Sequence, residues 1–363
     1  MSKELKILGC KTFGHNTALE FINKSLVMSK TSHAYLIVGP ENIGKKTLAI
    51  DIASILYSKP SKDMFGEQLL IDISSNNQRS RILKGNHSDI KIIDSDSNEK
   101  EKSSLIISIE QIREIIREIH LKPFEGEKKI YIINQAQNMM ESGYNSMLKI
   151  LEEPPVDGII ILTAPNIKSL PNTIVSRCQV ISLNYLQKQS IQNFILEKFD
   201  IDESKSEFIS RISKGKIGFA INACNDQTII DDYFQTVLKF SEILCGTIDK
   251  RFNYAKEMSN IFRKNKNQVY QEILRWLDFW RDILILKNDL REHIVNREWH
   301  DLLLSISKNI EEKKIIYIIK TIKNSSEFLY QNGSPQLIFE VLMMDLPFIN
   351  EDKISDIKPS VIF

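Results

Sequence analysis

Two short stretches of this 363-residue chain carry residue types and spacings suited to phosphate chemistry. In "GPENIGKKT", Gly39 is followed after four residues by Gly44 and Lys45. Backbone N–H groups at a helix start, joined by a lysine ammonium, cradle phosphate in loops of this pattern. The next position normally carries a hydroxyl that ligates magnesium. Here it is Lys46, and Thr47 comes one residue late, about 100° further round a helix. The second stretch, "KIYIINQAQ", is an apolar run that closes on Asn134 and Gln135. Two carboxylates at such a strand end would organise a metal ion and activate water. Their amides cannot act as a general base and are poor ligands for a cation that prefers anionic oxygen. The three positions together predict a nucleotide-type loop that has given up hydrolysis. No metal site is expected, and whether the loop holds ATP or ADP without turnover stays open. Taken alone, Asn134-Gln135 also reads as an ordinary polar turn.

Apolar strands and helix-periodic segments alternate over about 185 residues. "HAYLIVGP" is a strand, and "KKTLAIDIASILY" a helix with Leu48, Ile52, Ile55 and Leu56 on one face. Asp51 lies off that stripe and is expected to face solvent. "DIKIID", "KKIYIIN", "GIIILTAP" and "CQVISL" read as further strands. "ISIEQIREIIREIHLKP" and "NSMLKILEE" read as helices, the latter stopped by Pro154-Pro155. This order predicts an α/β domain with a parallel sheet covered on both faces. Residues 1–30 read as a lead-in with one helix near 16–28. The segment 58–85 is polar and aperiodic, and 94–104 is a charged loop. From residue 187 the period is 3.6 throughout. The expected organisation is 1–186 for the α/β domain, 187–230 for a small helical domain, 235–348 for a helical bundle and 349–363 for a loosely held tail. In the bundle, Ile273, Leu277, Trp280 and Leu284 form a core stripe.

The composition is 42% hydrophobic and 26% charged with formal net charge +1, which gives no electrostatic argument for a nucleic-acid or membrane surface. No apolar run reaches membrane-spanning length. The four cysteines, Cys10, Cys178, Cys224 and Cys245, are too far apart in sequence for a paired-cysteine metal site. Free thiols without a secretory signal fit the cytoplasm.

The stretch from Lys129 to Leu183 resembles the clamp-loader branch of the AAA+ family. Its pattern runs apolar strand, acidic turn, "N-x-L-L-K-x-L-E-E-P-P", apolar strand, "L-x-x-T-I-x-S-R-C". Asn145, Leu148, Lys149, Leu151, Glu152, Glu153, Pro154 and Pro155 match, as do Leu170, Thr173, Ile174, Ser176, Arg177 and Cys178. "GNHSDIKII" and "ISIEQIREI" are similar to the family as well, and the likeness covers roughly residues 10–225. It implies an AAA+ P-loop domain, a helical lid and a helical collar. It implies that Arg177, within Ser176-Arg177-Cys178, reaches a neighbouring subunit's ATP. A trans arginine of this kind adds roughly 10³–10⁵ in rate in GTPases. Motor subunits of the family carry "G-S-x-R-x-A" where this chain has "KGKIGFAI"; aligned on Gly215 and Ala220, their nucleotide-sensing arginine falls on Gly218. Many members also hold zinc on four cysteines after the P-loop helix. Residues 57–87 contain none, so no zinc is expected. The implied partners are the gamma/tau motor subunits, a delta subunit, the sliding clamp and primer–template DNA, within a DNA polymerase III holoenzyme.

Three functions compete: a ring stator that completes a neighbour's ATPase site, an active motor, and a DNA-binding module. A motor would need a base from elsewhere, such as Glu141 or Glu152/Glu153. No basic stripe interleaved with aromatics supports independent DNA reading. The pattern favours the stator.

Overall fold

The computed structural model describes residues 5–28, 30–58, 61–62, 69–74, 76–94, 106–331 and 333–349. The chain divides into two compact units, 1–198 with 213–221, and 199–212 with 222–363. The segment 187–230, expected as a separate helical domain, is thus shared between them. The charged segment from residue 95 and the tail from residue 350 lie outside the described residues.

The first unit is built on five parallel strands. In chain order its elements are β1 (Leu5–Leu8), α1 (Asn16–Val27), β2 (Ala34–Val38), α2 (Lys45–Tyr57), β3 (Ser61–Lys62), β4 (Leu69–Asp72), α3 (Asn76–Leu83) and β5 (Ile90–Ile93). There follow α4 (Ile109–Glu118), β6 (Lys129–Ile133), α5 (Glu141–Glu152), β7 (Gly158–Ala164), α6 (Asn172–Val175), β8 (Gln179–Ser182) and α7 (Lys188–Lys198). The main sheet has the order β5-β6-β7-β2-β8, with Leu36 of β2 opposite Leu162 of β7 and Val180 of β8. Every residue of β2, β6 and β7 is buried. Uninterrupted apolar runs are what central parallel strands require, because helices cover both faces. Tyr35, Ile37, Ile130, Ile132 and Ile161 pack on the α2 side. Leu36, Tyr131, Ile133, Ile160 and Leu162 pack with Ile112, Ile115, Met147 and Ile150 on the other. Each such side chain contributes ~1.5–3 kcal/mol of burial. Local signals set the helix ends. Ser108 and Gln111 close a capping box on α4. Glu153, before Pro154, leaves the helical region at φ −120°, ψ 71° and stops α5.

Three expectations need correction. The lead-in contributes a strand as well as α1: β1 pairs in parallel with β4, and β3 adds to β4 antiparallel. The segment 58–85, read as aperiodic, therefore holds β3, β4 and α3; elements this short show too few repeats for periodicity to register. Asp51, expected in solvent, is fully buried. Its Oδ2 accepts from the backbone N–H of Lys11 (2.9 Å) and Thr12 (2.7 Å) and from Thr12 Oγ1 (2.6 Å), and Arg79 pairs with its Oδ1. The helix face away from the apolar stripe is covered by the small sheet's connections, and the carboxylate ties them down.

The second unit is helical: α8 (Glu203–Ile212), the end of α9 (Ile217–Asn225), α10 (Gln227–Cys245), α11 (Ile248–Lys264), α12 (Lys266–Lys287), α13 (His300–Asn309), α14 (Glu312–Tyr330) and α15 (Pro335–Asp345). Ile273 and Trp280 of the expected stripe are buried in its core, and Trp276 stacks on Phe240 at 4.9 Å.

Candidate functional site

The carboxyl ends of β2, β5, β6 and β7 lie side by side, and in open α/β sheets ligands bind in the crevice at such ends. The glycine loop leaves β2 at Gly39 and enters α2 at Lys45. Gly44, just before the helix, sits at φ 100°, a conformation that side chains with a Cβ resist. Lys45 Nζ folds back over the loop and donates to the carbonyls of Gly39 and Pro40, both at 2.7 Å. Burial lowers its pKa to about 8, against the opposing pull of Glu41.

Lys46 points to the sheet edge. Its ammonium meets Asp94 Oδ2, one residue past β5, at 2.5 Å. Asn134 Nδ2 donates to the other oxygen of Asp94 at 2.6 Å. Thr163 Oγ1 donates to Asn134 Oδ1 at 2.7 Å and accepts from the Gln135 backbone N–H at 2.9 Å. The Gln135 side chain turns away and accepts from Asn138 Nδ2 at 3.1 Å, on a backbone at φ 54°. The structure thus joins Lys46, Asp94, Asn134 and Thr163 through side chains into one hydrogen-bonded chain, which Gln135 enters through its backbone N–H alone. These residues do not fit magnesium. Magnesium is usually held by one or two carboxylates among its oxygen ligands, and the carboxylate in this cluster, Asp94, already holds an ammonium.

Thr47 faces a different side. With Thr12, His15, Gly44, Ile217 and Gly218 it lines a cavity of about 50 Å³, against roughly 300–1,000 Å³ for small-molecule sites. The buried His15 bonds the carbonyl of Ile43 through Nε2 at 2.9 Å, which requires that nitrogen to carry its proton. The loop tip is pinned as well. Gly218 donates its N–H to the carbonyl of Asn42 at 2.8 Å, and Asn42 holds a left-handed φ of 60°.

Arg177 stands away from this cluster, just beyond α6, with its side chain one-third exposed. Nη2 pairs with Glu152 Oε1 at 2.5 Å, and Nη1 donates to the carbonyl of Thr173 at 2.9 Å and to Ser176 Oγ at 3.3 Å. Ser176 is exposed. Cys178 packs half-buried against the sheet, and burial pushes its thiol up to about 12. Cys178 thus anchors the turn, while Arg177 faces outward.

The sequence reading missed Asp94, Thr163 and the partnership of Glu152 with Arg177. Asp94 had a readable signal, since it ends an apolar strand just as Asn134 does. Thr163 is a lone hydroxyl in an otherwise apolar strand. Nothing in the sequence pairs residues 152 and 177.

A glycine loop between strand β2 and helix α2, with polar residues at neighbouring strand ends, defines a P-loop α/β domain. The model of the family "DNA polymerase III, delta subunit" matches residues 14–187. The chain is 24% identical to the DNA polymerase III delta' subunit of Bacillus subtilis, over 90% of this chain and 94% of that protein. It is 28% identical to the gamma subunit of Buchnera aphidicola from Acyrthosiphon pisum, over 90% of each. It is 24% identical to the tau subunit of Bacillus subtilis, over 92% of this chain and 60% of that protein. A solved DNA polymerase III gamma subunit-related protein from Thermotoga maritima aligns with TM-score 0.41 at 14% identity, over 89% of this chain and 97% of that one. Along most of its length the chain is similar to clamp-loader subunits of DNA polymerase III. Among the described residues no helix is long and apolar enough to cross a membrane.

Proposed function

We propose that this chain is the delta-prime-type member of a clamp loader, a stator that hydrolyses no ATP itself and presents Arg177 to the ATP of a neighbouring motor subunit. The observation that supports this reading is the Lys46–Asp94–Asn134 chain of contacts: a tethered cation and a neutral amide at the strand ends, in place of a metal and a pair of carboxylates that hydrolysis would use. Arg177, by contrast, remains at the surface in a complete Ser-Arg-Cys turn. In this reading the partners are gamma/tau motor subunits, a delta subunit, the sliding clamp and primer–template DNA. Residues 187–230 serve as lid and 235–348 as collar. The protein works in the cytoplasm, and needs neither zinc nor any other metal of its own. Reconstitution with motor and delta subunits tests it: Arg177→Ala should lower clamp- and DNA-stimulated ATPase at equal assembly, while the isolated chain turns over nothing. Turnover by the isolated chain, with no effect of Arg177→Ala in the ring, would overturn it.

A second reading, an active motor of the gamma/tau kind, is favoured by the likeness to gamma along 90% of both chains and by the retained Lys45. The same experiment separates the two.

A further inference from the structure

The contacts of Arg177 describe a residue already occupied. Its guanidinium closes two helix ends at once. Glu152 is the last residue of α5, followed by Glu153. Carboxylates at a helix C-terminus stand against the negative end of the helix dipole, so a cation placed there is doubly welcome. The second contact is to the carbonyl of Thr173 in the short α6, which also accepts from Ser176 Oγ at 3.2 Å. Glu152 approaches from 25 residues away in sequence, so sheet and helix packing, and no local turn, brings it there.

We propose that Glu152 is a latch on Arg177: it holds the guanidinium against this chain's own surface, and the phosphate of a neighbour's nucleotide must displace it. This rests on the reading of Arg177 as a trans-acting arginine. The exchange is one anion for another at the same guanidinium, carboxylate for phosphate. Half of the Glu152 side chain is exposed and Arg177 is one-third exposed, so the latch is weak enough to open. A binding-competent conformer populated only in part lowers apparent affinity by that fraction. Glu152 is therefore a positioning residue that sets how readily the arginine is delivered.

The test is Glu152→Gln in the reconstituted ring, which keeps size and removes charge at an exposed site. The expected result is a rise in kcat/KM for ATP of roughly two- to five-fold, the factor an exposed ion pair supplies. The rise should vanish when Glu152→Gln is made on an Arg177→Ala background, because an effect that runs through the pair cannot survive loss of one member. A merely structural role for Glu152 would give the same change on both backgrounds. An unchanged or lowered kcat/KM with Glu152→Gln, while Arg177→Ala still lowers turnover, would overturn the latch alone. If Arg177→Ala has no effect, the stator reading itself has failed.

Discussion

Gly218 and Asn42 meet backbone to backbone: the glycine N–H donates to the asparagine carbonyl at 2.8 Å, and a Cβ on Gly218 would stand 2.7 Å from that same oxygen. The contact joins the tip of the phosphate loop to the start of α9. A side chain at 218 would be driven into main chain, which cannot rotate away as a flexible side chain could. Gly218→Ala should therefore destabilise the first unit by ~1–3 kcal/mol through overpacking, read as a lowered denaturant midpoint. An equal midpoint would mean that the loop tip moves freely.

The sheet-edge cluster predicts which reversals restore chemistry. Asn134→Asp with Gln135→Glu supplies both missing carboxylates, yet Lys46 remains there as a tethered cation on Asp94. The double variant should stay inactive in the isolated chain. Adding Lys46→Thr removes the ammonium and places a hydroxyl directly after Lys45, so magnesium-dependent ATPase should appear only in the triple variant. Activity in the double variant would show that Lys46 does not block the site.

The α/β fold was legible because its central strands are unbroken apolar runs and its phosphate loop has a fixed spacing. Lys46, Asn134 and Gln135 were legible as a helix start and a strand end, and those are the places they occupy. Asp94 was legible only as the polar end of an apolar strand; its partnership with Lys46 and Asn134 was not, since it arises from β5 lying beside β6, a relationship of topology. Asp51 misled for a related reason. Helical periodicity predicts which face is apolar, but it does not tell whether the polar face meets water or another polar segment. The small β1-β4-β3 sheet was hidden because strands of two to four residues carry too little pattern.

Asp51 gives a direct stability test. Its carboxylate is fully buried, accepts from Lys11 and Thr12, and pairs with Arg79. Asp51→Asn keeps the shape but leaves the guanidinium without its counter-charge and puts amide hydrogens where an oxygen accepted. Breaking one side of a buried pair costs ~3–5 kcal/mol. Urea unfolding should show a loss of that order, and a change under ~1 kcal/mol, the scale of an exposed pair, would remove Asp51 from the fold's polar core.

Lys45 should make stability depend on alkaline pH. Its pKa falls from 10.5 to about 8 because burial penalises the ammonium. Between pH 8 and 10.5 the unfolded chain then binds a proton that the folded chain has shed, so stability attributable to this residue rises with pH across that window. Below pH 8 both states are protonated and the burial penalty is present in full. Lys45→Met should flatten that rise in a denaturant series from pH 7.5 to 10.5. The same slope in both proteins would mean that the lysine keeps its charge at ordinary cost.

In the helical unit, Arg251 is the residue whose replacement should matter most. It is fully buried and donates to the carbonyls of Ile243, Leu244, Met343, Leu346 and Pro347, with its guanidinium 3.8 Å from the Phe348 ring centroid. These carbonyls lie at the end of α10 and at and just past the end of α15, where the dipole favours a cation; those of Ile243 and Leu244 also accept from the N–H of Gly246 and Ile349. Arginine suits the place because its planar fork carries five N–H donors. Lysine carries three, on a single point, and cannot span both helix ends. Arg251→Lys therefore keeps the charge and strands at least some of the carbonyls, each at about 1–3 kcal/mol. Hydrogen exchange should report the loss as faster exchange at the α10 and α15 termini, with β2, β6 and β7 unaffected. Protection that stays unchanged in α10 and α15 would mean that packing alone holds the two helices together.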